Sequence, residues 1–327
     1  MAAFISRLGG ILLLAAAAAA AAATTAFAGS WPAAPIRMVV PYPPGGATDF
    51  SARVYAEQLA RILGQPVVVE NKAGAAGEIG AQAVVNAKPD GYTVLLGAVG
   101  SLAINSLLPS KQQQYAFPES LRGVSMATTT PLAVVVRADL PARDIQELIA
   151  LAKRRPGELS YGSAGYGSSQ HMVAEKFQLA TGTRLLHVPY KGSGPALADL
   201  MGGQVDMVFD TMPTLMSQVA NPKLRFIGVT TAARAPALPD VPTLQEQGIA
   251  GYDLSTRYAM LAPRDTPDQV VQRLSAAMRQ AAGQPSVRQA MAGQGATAVP
   301  TTPQQTDQAL RDEIAIWADV VKNADLK

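Results

Sequence analysis

Residues 36–49 read Ile36-Arg37-Met38-Val39-Val40-Pro41-Tyr42-Pro43-Pro44-Gly45-Gly46-Ala47-Thr48-Asp49. The first five residues are a β-rich run that Pro41 stops, and the Pro-Pro-Gly-Gly turn after it cannot extend a strand. From Thr48 to Leu63 the apolar residues Phe50, Val54, Leu59 and Ile62 recur at near-helical spacing, and Gly64 stands where a left-handed residue closes a helix. Val67-Val68-Val69 is the next strand. Strand, helix and strand make a βαβ unit, so the two strands should be parallel and joined by a right-handed crossover.

The alternation continues outward from this unit. A glycine-punctuated segment from Asn71 to Gly80 leads to a helix near 81–87, and Tyr92 to Leu96 gives a third strand. A loop rich in Gln and Ser follows. Pro131 to Val136 then begins a second series: helix 144–155, strand 159–162, helix 169–181, strand 184–189, helix 196–202, and strands 205–209 and 224–229. Such a series predicts a mostly parallel sheet covered by helices on both faces. Near the C-terminus, Thr266-Pro267-Asp268-Gln269 and Thr302-Pro303-Gln304-Gln305 each offer Thr at the N-cap, Pro at the first helical position and Gln two residues further. Both predict helix starts.

Composition excludes several functions. The 327 residues carry no Cys and two His, His171 and His187, which removes disulfide frameworks, zinc ribbons, thiol nucleophiles and iron–sulfur clusters. No cofactor and no metal are expected. With 16% charged and 48% hydrophobic residues the chain can fill a sizeable core and is not a disordered tail. At its beginning, Arg7 precedes an alanine-rich apolar run from Ile11 to Ala23, and Ala26-Phe27-Ala28 is a small-residue cleavage pattern. Residues 1–28 therefore read as a secretory signal peptide. Cleavage after Ala28 would leave 299 residues and lower the formal charge from +3 to +2, since Arg7 is the only charged side chain removed. A near-neutral, exported chain with no second apolar stretch is expected to be free of the membrane and not to bind nucleic acid.

Catalytic motifs are missing. The chain has no G-x-S-x-G elbow, no P-loop, no H-E-x-x-H and no G-x-G-x-x-G after the first strand. Ser163 and Ser168 lie near His171, so a secreted serine hydrolase using either serine with His171 is the alternative reading. What the chain has instead is glycine-rich strand-to-helix loops, 41–49 and Tyr161-Gly162-Ser163-Ala164-Gly165-Tyr166-Gly167-Ser168-Ser169. Glycines let the backbone approach a ligand, and the free amides of a helix N-terminus favour an anion. In open α/β sheets these loops stand where ligands bind. Two of them facing one cleft would make an anion site without arginine.

Five segments carry a resemblance: residues 41–49, Asn71-Lys72-Ala73-Gly74-Ala75-Ala76-Gly77, Asp90-Gly91-Tyr92-Thr93, residues 161–168, and Val188-Pro189-Tyr190-Lys191-Gly192. In this order they resemble the signature blocks of the Bug family, the periplasmic receptors of tripartite tricarboxylate transporters. The resemblance implies a type II periplasmic binding protein fold, two α/β lobes with a ligand cleft between them that closes like a flytrap. It also implies that the loops 41–49 and 161–169 grip a ligand carboxylate, partly through ordered water, and that a membrane transporter is the transient partner; a sensor domain is the other partner open to such a receptor. The chain is expected to act as a periplasmic monomer.

Chain crossings near 130–135 and 251–258 would give lobe 1 residues 31–131 plus 254–327 and lobe 2 residues 132–253. The ligand set expected in the cleft is Gly45, Gly46 and Thr48, with Ser101 from the loop after the third strand, and Ser163, Ala164, Gly165 and Ser168 from the other lobe. Tyr42 would stack on or cover the ligand, or serve as a buried structural tyrosine. Asp49 would repel an anion and is expected to brace its own loop. Two roles are open to Asp210: accepting an ammonium or hydroxyl of the ligand, or capping a helix. Lys191 would place a positive charge at the rim or be solvated.

Overall fold

The computed structural model describes residues 31–108, 115–324 and 326; the expected signal peptide lies outside these residues, as does the 109–114 part of the Gln-rich loop. In chain order the strands are β1 (Ile36–Val40), β2 (Val67–Asn71), β3 (Thr93–Ala98), β4 (Leu121–Arg137), β5 (Ser160–Ser163), β6 (Leu186–Pro189), β7 (Met207–Thr211), β8 (Leu224–Val229), β9 (Ser255–Pro263) and β10 (Thr297–Ala298). The opening βαβ unit forms as its pattern requires. β1 pairs with β2 in parallel from Ile36↔Val67 to Val40↔Asn71, and helix Ala47–Leu63 between them ends on Gly64 at φ 72°.

The sheet runs in the order β2-β1-β3-β9-β4-β7-β5-β6, with β8 and β10 also paired to β4. The expectation of a mostly parallel sheet holds only toward the two ends. β1–β2, β1–β3, β5–β6 and β5–β7 are parallel, whereas β9 pairs antiparallel with both β3 and β4, and β4 pairs antiparallel with β7 and β8. The reason is β4, a single 17-residue strand. It pairs with β9 from Leu121 through Pro131 and with β7 and β8 from Leu132 through Arg137, so one strand serves two α/β lobes. Thr230 fastens the point where it changes partners. Its amide donates to Leu132 O at 3.0 Å, its Oγ1 donates to Leu254 O at 2.7 Å, and its carbonyl accepts from Leu254 N at 2.9 Å.

Buried clusters follow the same division. One joins Ile36, Met38, Tyr55, Leu59, Met260 and Met278, and another joins Val135, Leu197, Val208, Met212 and Leu215. A third, with Leu102, Phe177, Phe209 and Trp317, draws on residues from both ends of the sheet. Helix Pro303–Asn323 starts as its sequence requires: Thr302 Oγ1 accepts from Gln305 N at 3.2 Å and Gln305 Oε1 accepts from Thr302 N at 3.0 Å. Thr302→Ala should therefore cost about 1 kcal/mol in a urea titration. The parallel expectation for Thr266 fails. Helix Asp268–Gly283 has Pro267 at its N-cap, and Thr266 Oγ1 donates backward to Pro263 O at 2.8 Å.

Candidate functional site

Four helices of nine or more residues begin at one narrow cavity of about 30 Å³. Helix Ala47–Leu63 brings Gly46, Ala47 and Thr48; helix Val99–Leu107 brings Ser101; helix Ser169–Thr181 brings Gln170; helix Ser193–Met201 brings Ser193 and Gly194. Each follows the carboxyl end of a strand, and the first turns of all four border the cavity. The sum of their partial positive charges favours an anion, and the volume suits a carboxylate group or ordered water. Thr256, from β9, adds a hydroxyl. The residue lines the cavity, and its Oγ1 is buried with no hydrogen-bond partner among the described residues.

Of the residues expected from sequence, Tyr42, Gly46, Thr48, Ser101 and Ala164 line this cavity. Gly165 lines a neighbouring cavity instead. Ser101 lies in the first turn of a helix where a loop was expected. Its Oγ accepts from Ser169 N at 3.1 Å and lies 3.3 Å from Ser169 Oγ, bonding the 93–107 segment to the 160–181 segment across the cleft. Gly45, Ser163, Ser168 and Asp210 do not line it: Gly45 is exposed, and the other three are buried. Gly45 N donates to Asp49 Oδ2 at 3.0 Å, and Ser168 Oγ accepts from His171 N at 3.2 Å as a helix cap.

Asp49 braces its loop as expected. Its carboxylate accepts two bonds from Arg53, both at 2.9 Å, and one from Asn71 Nδ2 at 2.9 Å. Burial opposes its charge, but these donors and the Gly45 amide outweigh burial and hold the carboxyl below the usual range.

Asp210 is fully buried. Its Oδ1 accepts from Gln170 Nε2 at 3.2 Å, Ser193 Oγ at 2.9 Å, Thr211 N at 2.7 Å and Thr211 Oγ1 at 3.2 Å. It thereby orients Gln170, Ser193 and Thr211, three lining residues that sequence reading missed. Burial pushes the Asp210 carboxyl up despite those donors. The position of Gln170, two residues after a recognisable cap, was the available signal; Thr256 and Tyr258 gave none.

The two histidines lie beneath the 161–169 loop. The rings of Tyr161, His187, His171 and Tyr166 form a stack with successive centroid separations of 4.9, 4.0 and 5.1 Å. Ser163 pairs with His187 Nε2 at 2.6 Å, not with His171, and is 1% exposed. Ser163 is thus enclosed and Ser168 is occupied as a cap, which corrects the alternative of a serine nucleophile activated by His171. Burial lowers the His187 pKa from the ordinary 6.5 to about 4. Between those values the unfolded chain binds the extra proton, so stability should fall as pH drops from 6.5 toward 4. His187→Phe keeps a ring in the stack and should flatten that acid limb of a stability–pH curve.

Among the described residues no group of three or more His, Asp or Glu side chains is placed to hold a metal, and no helix is long and apolar enough to cross a membrane. The family model described as "Tripartite tricarboxylate transporter family receptor" matches residues 51–326. Protein BugT of Bordetella pertussis is 41% identical over 302 residues, covering 92% of each chain. Rpa4515 of R. palustris, solved with adipate, superposes with a TM-score of 0.86 at 34% identity, covering 89% of this chain and 97% of its own. MatC from Rhodopseudomonas palustris, solved with bound malate, gives 0.83 at 31% identity, covering 89% and 100%. These relatives are binding receptors, not enzymes.

Proposed function

The chain belongs to the tripartite tricarboxylate transporter receptor family, and from that premise we propose that it captures a small organic carboxylate between its lobes and hands it to a membrane transporter. The observation that carries this reading is that the first turns of four helices border one cavity, beside Thr256, whose buried hydroxyl has no partner among the described residues. Gly46, Thr48, Ser101, Ala164, Gln170 and Ser193 contact the carboxylate directly or through water, and Asp210 positions the last two. The ligands of the two structural relatives, adipate and malate, support the class.

Lobe 1 comprises residues 31–131 and 254–327 and lobe 2 residues 132–253, a division supported by the partner change of β4 at Pro131/Leu132. The lobes hinge there and at Leu254, and the Ser101–Ser169 bond belongs to the closed state. Export by the 1–28 segment puts the receptor in the periplasm as a monomer. Isothermal titration with di- and tricarboxylates, aromatic acids and amino acids tests the reading: at least one acid should bind, and Ser101→Ala should weaken it about tenfold, by loss of one hydrogen bond to charge. Absence of binding across the panel would refute it.

A further inference from the structure

Next to the anion cavity, and sharing Tyr42 with it, lies a second cavity of about 520 Å³. Its walls include Tyr42, Tyr166, Tyr190, Pro189, Pro195 and Lys191. The two cavities adjoin, since Ala164 lines the first and its neighbour Gly165 lines the second. All three tyrosine hydroxyls have partners within the protein. Tyr42 donates to Ala76 O at 3.1 Å, Tyr166 to Leu326 O at 3.3 Å, and Tyr190 to Asp199 Oδ2 at 2.6 Å. With their hydroxyls committed, the part of each tyrosine left to a ligand is its ring, which suits another ring in stacked or edge-on contact. Lys191 is the one charged side chain lining this cavity, and it has no ion-pair partner among the described residues.

We propose that this second cavity holds the body of the ligand, and that the body is an aromatic ring bearing a second anionic substituent paired with Lys191. The inference rests on the reading of the first cavity as the carboxylate seat. A rigid ring fills a wide, ring-lined space and loses less rotational freedom on binding than a flexible aliphatic chain of similar span. The Lys191 ammonium is a compact charge on a flexible stem that can meet an anionic group projecting from that ring.

Titration calorimetry of the purified protein with benzene-1,4-dicarboxylate, benzoate and hexanedioate tests this, because the first differs from the second by one charge and from the third by the ring. The aryl dicarboxylate should bind tightest, by about tenfold over each of the others. Lys191→Ala should erase its advantage over benzoate without changing benzoate affinity, and Tyr166→Leu should erase its advantage over hexanedioate. Binding of hexanedioate or benzoate at least as tightly as the aryl dicarboxylate would overturn this inference while leaving the carboxylate receptor intact. An undiminished advantage over benzoate in the Lys191→Ala protein would overturn the role of Lys191. Failure of all three acids to bind, while an acid of another class binds, would also overturn the inference alone; failure of every acid overturns the receptor reading beneath it.

Discussion

Asp210→Ala should lower unfolding stability by about 3 kcal/mol and weaken ligand binding by more than tenfold, whereas Asp210→Asn should stay within about 1 kcal/mol of the parent. Removing the side chain strands donors from Gln170, Ser193 and Thr211 in a buried setting, and each buried donor left without an acceptor costs about 1–3 kcal/mol. Gln170 Nε2 keeps a 3.0 Å bond to Ser193 Oγ, so part of the loss is recovered. Asparagine retains the Oδ1 on which all four bonds end. The sign of the carboxyl's shift agrees with this outcome: a raised pKa means that holding the charge in the folded state costs stability as pH rises through the carboxylate range, a cost that asparagine lacks. Urea midpoints and ligand titrations of the two variants check both halves.

Gly192→Ala should weaken ligand binding about 5- to 100-fold while leaving the stability of the ligand-free protein within about 0.5 kcal/mol. Gly192 has φ 164°, extended backbone that alanine adopts freely, so no local strain is introduced. An added Cβ would instead stand 2.9 Å from Pro43 Cδ and 3.0 Å from Pro43 Cγ, across the cleft. The proline ring cannot rotate aside, so the methyl acts as a wedge against closure only. Gly283→Ala, where an added Cβ meets nothing within 4 Å, is the control and should leave affinity unchanged.

The parts of the site that were legible in sequence are those written in local chemistry. Prolines and glycines at the end of β1, and glycines after Tyr161, mark places where a strand must stop and a helix begin, and these fix Gly46, Thr48 and Ala164 at the cavity. Thr256 and Tyr258 were not legible because they arrive on β9, whose partner β4 lies more than a hundred residues earlier. Its apolar run specifies burial but neither a partner nor a direction. The same limit explains the sheet: alternating strands and helices imply parallel pairing, and no local signal shows that β4 is long enough to serve both lobes. Asp210 illustrates a third limit. Its place at a strand end gave proximity to the cleft, but its role depends on donors from Gln170 and Ser193, which tertiary packing alone brings to Oδ1. His187 is similar: Tyr161 faces it in the β5–β6 register, and that alignment, not sequence distance, gives Ser163 its partner.

A crystal structure of the protein with a bound carboxylate tests the central claim most directly. The account predicts a carboxylate in the cavity between the lobes, bonded directly or through water to the first turns of the helices beginning at Ala47, Val99, Ser169 and Ser193, with the Thr256 hydroxyl engaged. A carboxylate seated outside that cavity, with Thr256 Oγ1 still unpartnered, would contradict it.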